Sequence, residues 1–317
     1  MSINTNTPLE NASLTQLQQT PIENVLNIID EGLVHLPTYR ELYYRWERQQ
    51  WQSQEIDFSV DRQQWAGMSH EEREERLYGL SAFFRGEACV TDTLAPYVYA
   101  MPDEEMRIFL TTQVVDEARH TVFFARFFKE VLDMDSSTLE ETFTKIEPYV
   151  NESLQHILIQ SLAEVAERIR QEPRNLDHLV EGVTLYHVIV EGTLALAGQR
   201  SILDFYRQYN LFPGFRGGFT AVARDESRHV IFGVKFLRDT IQRDGSKARI
   251  VYDAINKYLP PALRGITPPD EQVPQIMAMQ GDPWMTPRYG IESLRKKLKV
   301  IGLSMNLPEI PAAPVYS

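Results

Sequence analysis

With 317 residues, 43% of them hydrophobic and 24% charged, the chain is long enough for one large globular domain or two small ones. Its net charge of -12 argues against nucleic acid as the main binding partner, because a phosphate backbone attracts a basic protein surface. One cysteine, Cys89, excludes an internal disulfide and any metal site built from several cysteines.

The N-terminal part of the chain shows no sign of membrane insertion or secretion. No apolar run approaches the roughly 18 residues that a membrane span requires, and the polar first residues lack a basic-then-apolar signal pattern. We therefore expect a cytoplasmic protein without a membrane span. Residues 1–20 are predicted to be disordered and 38–50 to form a short helix, so 1–68 is interpreted as an N-terminal segment with short helices.

Long helical patterns follow this segment. Ser69 and Glu72 have the spacing of a capping box, which predicts the start of a helix over about 70–97. Asp103 is the expected N-cap of a second helix over about 103–132. Further helices are predicted over about 138–171, 174–209, 219–243 and 246–258. The break before 219 is assigned to the Pro and Gly residues at 213–218.

The absence of strand patterns determines the predicted fold class. Period-2 alternation is almost missing, so we predict an all-α fold. Helices of about 25–35 residues are long for a globular protein and suit a bundle in which each helix buries one apolar stripe. The predicted core domain is 69–258. Residues 259–317 are interpreted as a Pro-rich C-terminal extension, irregular over 260–289 and with a last short helix over 290–300.

One five-residue motif occurs twice, as DEARH at 116–120 and as DESRH at 225–229. In each copy Glu and His are three residues apart, so on a helix their side chains share one face. A carboxylate oxygen and an imidazole nitrogen that converge on one point are typical ligands of iron or manganese. Glu117, His120, Glu226 and His229 are therefore predicted metal ligands.

A two-metal site in a helical bundle takes one further Glu from each of two other helices. Glu87 in the first long helix and Glu191 in the fourth both lie in apolar sequence, where an unpaired carboxylate costs several kcal/mol. Metal binding offsets that cost, so these two residues complete a predicted set of six ligands. Asp116 and Asp225 are candidates for orienting the ligand histidines. The sequence leaves open whether each Asp serves its own helix or the opposite His.

The order and spacing of the six ligands resemble the ferritin-like superfamily that includes the ribonucleotide reductase small subunit, over about residues 70–245. The resemblance implies a ferritin-like helical bundle with a four-helix dimetal core plus additional helices. In the typical reductase subunit a tyrosine four residues after the first ligand His holds the radical. That position is Phe124 here. Some reductase subunits also have Phe there and use a manganese–iron centre.

The chain is also similar to ligand-binding oxidases that resemble the reductase small subunit and lack the radical tyrosine. That branch implies a manganese and iron cofactor, with di-iron as the alternative, a bound long-chain fatty acid, and an ether cross-link between a Val and a Tyr. The cross-link positions, set by their spacing from the first and third Glu ligands, correspond to Val90 and Tyr186. On an ideal α-helix Tyr186 points about 140° away from Glu191. Only the resemblance, or a local bulge, places it at the site.

Several functions are compatible with this pattern. The leading interpretation is an oxygen-activating metal oxidase that binds O2 and a long-chain fatty acid or similar aliphatic ligand, and that acts on its own Val90 and Tyr186. A ribonucleotide reductase small subunit with a Mn/Fe centre would need a large subunit, and a ferritin-like metal store would assemble as a cage. A multicomponent hydroxylase has a similar ligand pattern. The resemblance also implies a homodimer.

Overall fold

In a computed structural model, which describes residues 9–315, the chain is helical and no strand occurs within that range, so the predicted all-α class is confirmed. The N-terminal helices are α1 Leu14–Gln19, α2 Ile22–Val34, α3 Tyr39–Arg48 and α4 Ser59–Gly67. They are followed by α5 His70–Thr93, α6 Ala95–Ala100, α7 Glu104–Glu130, α8 Leu139–Ile146, α9 Glu152–Leu154 and α10 Leu162–Gln171. The remaining helices are α11 Leu176–Val183, α12 Leu196–Gln208, α13 Pro213–Arg243, α14 Ala248–Ile266, α15 Val273–Ala278 and α16 Met285–Ile301.

Two π-helical segments join neighbouring helices into longer rods. Gln155–Ser161 connects α9 to α10, and Thr184–Ala195 connects α11 to α12. Short 3-10 turns lie at Ser53–Glu55, Glu147–Tyr149 and Gly245–Lys247. The core of the fold is formed by α5, α7, the α11–α12 rod and α13, which pack side by side.

Two helix starts agree with their predicted capping residues. The side chain of Ser69 accepts a hydrogen bond from the backbone N–H of Glu72, and Glu72 accepts one from the backbone N–H of Ser69. Asp103 accepts from the backbone N–H of Glu105 at the start of α7. These contacts satisfy N–H groups that have no partner inside the helix. Both carboxylate-bearing helices α5 and α7 are thus fixed at their first turns.

The prediction of disorder before residue 20 is wrong for 14–19, while residues 1–8 lie outside the described range. α1 forms there because Leu17 is buried against α13. The helix predicted over 138–171 is interrupted after α8, where Pro148 lies in a 3-10 turn. Proline has no N–H to donate to the preceding turn, so it favours such an interruption.

α13 begins at Pro213, earlier than predicted. Proline suits the first helical turn, because an N–H there would have no partner within the helix. The buried carboxylate of Asp61 accepts the backbone N–H groups of Gly214 and Phe215 at 2.9 and 2.8 Å. Gly218, assigned to a break, lies inside the helix, where an added Cβ would overlap the Phe123 ring. The glycine therefore permits close packing of α13 on α7.

α14 continues through Pro260 and Pro261 to Ile266, so the first part of the region predicted to be irregular is helical. Burial of Leu259 and Ala262 keeps this face of the helix in the core. The boundary predicted after residue 258 accordingly falls within a helix. The division of the chain into three segments stays a prediction.

The rod Leu176–Gln208 is long and apolar enough to cross a membrane by length and composition alone. However, 89% of its most apolar stretch is buried inside the protein. Such burial is typical of the central helix of a bundle, whose whole circumference contacts other helices. This rod carries Tyr186 and Glu191.

Candidate metal centre

The structure brings all six predicted ligands together in the interior of the four-helix core. Glu87 comes from α5, Glu117 and His120 from α7, and Glu226 and His229 from α13. The sixth residue, Glu191, comes from the π segment between α11 and α12. All six side chains are buried.

The first group of ligand atoms surrounds Nδ1 of His120. This nitrogen lies 3.2 Å from Oε2 of Glu87, 3.5 Å from Oε2 of Glu117 and 3.4 Å from Oε1 of Glu226. The four ligand atoms of the group lie within 4.8 Å of one another. Three carboxylate oxygens and one imidazole nitrogen therefore enclose one cation-sized position.

The second group surrounds Nδ1 of His229. Its distances to Oε1 of Glu117, Oε1 of Glu191 and Oε2 of Glu226 are 3.3, 3.4 and 3.4 Å. Glu117 and Glu226 thus present one oxygen to each group, so both carboxylates belong to both groups. The four ligand atoms of this second group also lie within 4.8 Å of one another.

The charges in the pocket favour a bound cation. Burial raises the pKa of the Glu87 carboxyl to about 8, although His120 opposes this shift. Burial also raises the pKa of Glu191 well above its usual range. Burial opposes protonation of His120 and His229, but the surrounding carboxylates outweigh it and raise the pKa of both imidazoles. The cluster therefore attracts positive charge, whether carried by protons or by metal ions.

Three ligand atoms are buried and make no hydrogen bond to any part of the chain that the structure describes: Oε2 of Glu191, Oε2 of Glu226 and Nδ1 of His229. Buried polar atoms without partners are rare and require an explanation. Oε2 of Glu226 and Nδ1 of His229 belong to the second group, and Oε2 of Glu191 is the other oxygen of a carboxylate in that group. Four carboxylates and two imidazoles are a donor set that suits iron and manganese, so the residues present fit a dinuclear metal site.

The Asp of each motif supports the His of the opposite motif. Asp116 on α7 lies 3.2 Å from Nε2 of His229 on α13, and Asp225 on α13 lies 3.3 Å from Nε2 of His120 on α7. The alternative that the sequence left open is thereby decided. With Nε2 engaged by a carboxylate, Nδ1 of each imidazole is directed at the ligand cluster, the arrangement that orients metal-binding histidines.

The Arg of each motif ties the two aspartates together. Arg228 donates from Nη2 to both Asp116 and Asp225, at 2.8 Å each. Arg119 lies 3.1 Å from Asp116 and 3.5 Å from Asp225. Since both aspartates are fully buried, these two guanidinium groups balance their charge. All four repeated positions of the motif therefore have a structural reason.

Sequence reasoning missed one polar contact of the third Glu ligand. Gln113 on α7 donates to Oε1 of Glu191 at 2.7 Å, and its Oε1 lies 3.1 Å from Nε2 of His187. Burial lowers the pKa of His187 to about 3, so this imidazole is neutral. Gln113 precedes Glu117 by one helical turn, so its position on the ligand face could have been read from the spacing.

The π-helical segment explains why Tyr186 faces the site. In a π-helix the backbone bonds connect residues five apart, so Tyr186 and Glu191 are one turn apart and share a face. The unusual backbone is supported from α16, where Lys297 donates from Nζ to the carbonyl of Gly192 at 2.7 Å and Ser293 donates to the same carbonyl at 3.1 Å. The bulge that the sequence interpretation allowed for is therefore present.

Tyr186 directly contacts a predicted ligand. Its phenol donates to Oε1 of Glu117 at 2.9 Å. Burial raises the pKa of Tyr186 well above its usual range, so the phenol keeps its proton at neutral pH. Val90, three residues after Glu87, is only 4% exposed and lines the same cavity as Tyr186. Tyr186 therefore contacts the ligand cluster, and Val90 lines the cavity that four of the cluster's carboxylates also line.

Phe124 is fully buried in an aromatic cluster. Its ring centroid lies 5.1 to 6.4 Å from those of Phe83, Phe84, Phe123 and Phe219. Phe124, at the position of the radical tyrosine in a typical reductase subunit, is therefore surrounded by hydrocarbon side chains.

A cavity of about 930 Å³ connects the ligand cluster to the region around α15. Four of the six ligands, all carboxylates, line its inner end, and Ile276 and Met279 lie at the α15 side. Leu158, Leu194 and Ile202 contribute to its apolar wall. No Lys, Arg or His side chain is among the lining residues that the structure describes. The space is therefore suited to an elongated apolar molecule.

Comparison with known proteins gives two findings. A family model described as "Ribonucleotide reductase, small chain" matches residues 34–259, which include all six ligands. Among solved structures, a glycine-to-leucine variant of an R2-like ligand-binding oxidase with an anaerobically reconstituted Mn/Fe cofactor has 25% sequence identity and a TM-score of 0.73. That alignment covers 85% of this chain and 94% of the other chain.

Another similar structure is a tyrosine-to-phenylalanine variant of an R2-like ligand-binding oxidase with the same cofactor description. It has 24% identity and a TM-score of 0.73, again with 85% and 94% of the two chains covered. This level of identity supports the fold alone.

Proposed function

Because the chain belongs to the ribonucleotide reductase small chain family, we propose that it is an oxygen-activating oxidase with a manganese–iron centre, or a di-iron centre as the alternative. The observation that carries this proposal is the pair of buried ligand groups bridged by Glu117 and Glu226. One metal ion would be held by Glu87 and His120 and the other by Glu191 and His229, with both bridges shared. The bound ions would supply activation of O2 and store oxidising equivalents.

We infer that the residues oxidised by this centre include Val90 and Tyr186. Tyr186 presents its phenol to the bridging carboxylate of Glu117, and Val90 lines the same cavity. The tertiary Cβ–H of Val90 is the weakest C–H bond of that side chain. Burial of both residues keeps water from competing for the oxidised carbon.

The proposed cross-link replaces one C–H bond of Val90 and the O–H bond of Tyr186 with one C–O ether bond. Two protons and two electrons leave the pair. Together with two electrons that a reduced metal centre would supply and two protons from solvent, they would reduce one O2 to two waters. Glu117 is positioned to accept the phenol proton, because it already accepts the hydrogen bond of Tyr186.

We further propose a long-chain fatty acid or a similar aliphatic molecule as the ligand of the cavity. The volume of about 930 Å³ and the apolar wall suit an extended hydrocarbon chain. A carboxylate head group finds no basic side chain along the described lining. The positive charge that it requires would come from the metal ions at the inner end, so the tail would extend toward α15. A cytoplasmic location and a homodimer stay predictions from the sequence and the resemblance.

The test of the oxidase proposal is a mass measurement. Protein loaded anaerobically with manganese and iron would be analysed intact and as peptides, before and after exposure to air. The expected result is a loss of two hydrogen atoms, located in a joined pair of peptides that contain Val90 and Tyr186. Tyr186→Phe should bind metal and show no mass loss. Tyr97→Phe, which changes a buried tyrosine whose ring lies 6.2 Å from that of Tyr186, should cross-link normally.

The same experiment decides between the two leading functions. Absence of the joined peptides, with both metals bound and oxidised, would contradict the cross-linking oxidase. The family membership would then favour a reductase small subunit with a Mn/Fe centre in place of a tyrosyl radical, since Phe124 occupies the radical position. Formation of a complex with a large subunit would be its direct test. Solvent extraction and mass spectrometry of the purified protein would test the aliphatic ligand separately.

A further inference from the structure

A lysine of the last helix is buried without a charged partner. Lys297 on α16 is 1% exposed and forms no ion pair with any residue in the range 9–315. Asp30, the acidic residue whose charge acts on it, is paired with the neighbouring Lys296 at 2.6 Å. An unpaired cation in a protein interior is costly, so the burial of this lysine requires an explanation.

The amino group of Lys297 contacts three oxygen atoms instead. Its Nζ donates to the backbone carbonyl of Gly192 at 2.7 Å, to that of Ser293 at 3.4 Å, and to the hydroxyl of Ser293. The Ser293 hydroxyl in turn donates to the carbonyl of Gly192 at 3.1 Å. A lysine ammonium has three N–H donors, so each has an acceptor, and two side chains of α16 converge on one carbonyl of the Leu176–Gln208 rod.

The carbonyl of Gly192 is one that the rod itself leaves without its usual donor. In an α-helix the N–H of Leu196 would donate to the carbonyl four residues before it, which is that of Gly192. Here this N–H donates to the carbonyls of Glu191 and Thr193 and passes over Gly192. The donors from α16 therefore take the place of the missing bond and satisfy a buried carbonyl.

The fit between Gly192 and Lys297 is also steric. A Cβ added at Gly192 would lie 2.7 Å from Cε of Lys297 and 2.8 Å from the carbonyl oxygen of His187. One turn before Ser293, Gly290 of α16 comes equally close to the rod, since an added Cβ there would lie 3.3 Å from Cγ2 of Thr193. The absence of a side chain at Gly192 thus lets the lysine lie directly against the backbone of the rod.

We propose that Lys297, assisted by Ser293, is a positioning residue that keeps the rod on its π-helical path. This path directs both Glu191 and Tyr186 to the ligand cluster. The part of the inference that concerns Tyr186 rests on the proposed function, whereas the part that concerns Glu191 requires only that the cluster binds metal.

The physical reason is a competition between two hydrogen-bond patterns. Without donors from α16, the carbonyl of Gly192 gains a partner within the rod only if the N–H of Leu196 moves to it. Glu191 would then lose this donor and take the N–H of Ala195, and the same exchange would continue back along the segment. On the resulting α-helical path Tyr186 and Glu191 point about 140° apart, so the two side chains could not both face the cluster.

The decisive variant combines Lys297→Met with Ser293→Ala, which removes both donors and leaves apolar side chains in a buried place. A crystal structure of the metal-free variant should show the α-helical bond from Leu196 to Gly192 in place of the π-helical bonds. The phenol of Tyr186 should no longer reach the ligand cluster. This measurement needs neither metal nor oxygen, so it does not depend on the proposed function.

Metal binding and cross-linking give two further readouts. Anaerobic titration with Mn²⁺, followed by the electron paramagnetic resonance of the free ion, should show one of two bound ions held about 10- to 100-fold more weakly. The reason is that Glu191 leaves the second ligand group. After loading with manganese and iron and exposure to air, the yield of joined peptides containing Val90 and Tyr186 should fall about tenfold or more.

Matched controls separate positioning from stability. Leu298→Ala removes a buried side chain of the same helix and keeps both donors. It should lower the melting temperature yet bind two ions and cross-link like the wild type. Lys296→Met removes the exposed neighbouring charge and should leave all three readouts unchanged. If the double variant does not fold, Lys297→Met alone gives the same comparison, with a smaller loss because Ser293 still donates.

The outcomes decide the proposal. A rod that stays π-helical in the double variant, with Tyr186 still bonded to Glu117, would overturn it. An equal loss of Mn²⁺ affinity in Leu298→Ala would also overturn it, because the effect would then follow stability alone. If the metal-free structure and the Mn²⁺ affinity change as expected but wild-type protein forms no joined peptides, the positioning role stands and the proposed oxidase function fails.

Discussion

Replacement of Asp116 by Asn tests the crossed support of the two histidines. Asp116 lies on α7, one helical turn before His120, but its carboxylate contacts His229 on α13 at 3.2 Å. The isosteric amide removes the negative charge and offers one acceptor oxygen instead of two. The structure therefore predicts that Asp116→Asn weakens the metal position formed with His229 and leaves the position at His120 much less affected.

The expected magnitude follows from the contacts that are lost. Loss of the carboxylate partner of a metal-bound imidazole typically reduces metal affinity about 10- to 100-fold, which is about 1.4 to 2.7 kcal/mol. Arg228 keeps its 2.8 Å contact with Asp225 but loses the charge of Asp116. We therefore expect the metal-free variant to lose about 1 to 3 kcal/mol of unfolding free energy as well.

The assay must distinguish the two metal positions. Crystals of the variant soaked with substoichiometric manganese would give the occupancy of each position by anomalous diffraction, and Asp225→Asn serves as the mirror-image control. Asp116→Asn should lower occupancy at His229, and Asp225→Asn at His120. If each variant instead weakens the position on its own helix, the crossed arrangement is refuted.

Three further outcomes are expected. Gly79→Leu, whose new side chain meets Ile202 at the cavity wall, should exclude the longest extracted aliphatic ligands, whereas Gly67→Leu outside the cavity should not. Chelation of the metals should lower the melting temperature, since ions held at 100 times their dissociation constant add about 2.7 kcal/mol. Burial lowers the pKa of Lys297 from 10.5 to about 7. Between these two pKa values the unfolded chain holds a proton that the folded chain has lost, so the unfolding free energy rises with pH. From pH 7 to 9 the rise should be at most about 2 to 3 kcal/mol relative to Lys297→Met. An equal pH profile of unfolding free energy for both proteins in chemical denaturation would contradict this.

The ligand cluster could be predicted because its signals are local. Glu117 and His120 share a face through their spacing alone, and the same holds for Glu226 and His229. Glu87 and Glu191 were detectable as carboxylates in apolar sequence, where burial without a partner is costly. Contacts between helices are different in kind. The spacing of Gln113 from Glu117 places it on the ligand face, but its partners Glu191 and His187 lie on another helical rod, so the sequence does not identify them.

The start of α13 is a second feature that local sequence does not predict. Pro213 and the glycines after it have the composition of a loop, yet they form the first turns of α13 because Asp61 supplies the missing acceptors and Phe123 requires close packing. Contacts with residues far away in the chain therefore outweigh the loop propensity of this local sequence. These contacts arise from the bundle itself, so a prediction from propensity places the start of α13 too late.

The position of Tyr186 depends on a backbone feature that no side-chain periodicity reveals. An α-helical path would direct it away from Glu191, and the π-helical path brings it to Glu117 at 2.9 Å. A π segment leaves carbonyls that need outside donors, and here Lys297 and Ser293 of α16 supply them for Gly192. The C-terminal helix, more than 100 residues from Glu191 in sequence at its Ser293 contact, therefore helps to set the register of the site. Tyr186 faces the ligand cluster beside a backbone segment that α16 stabilises.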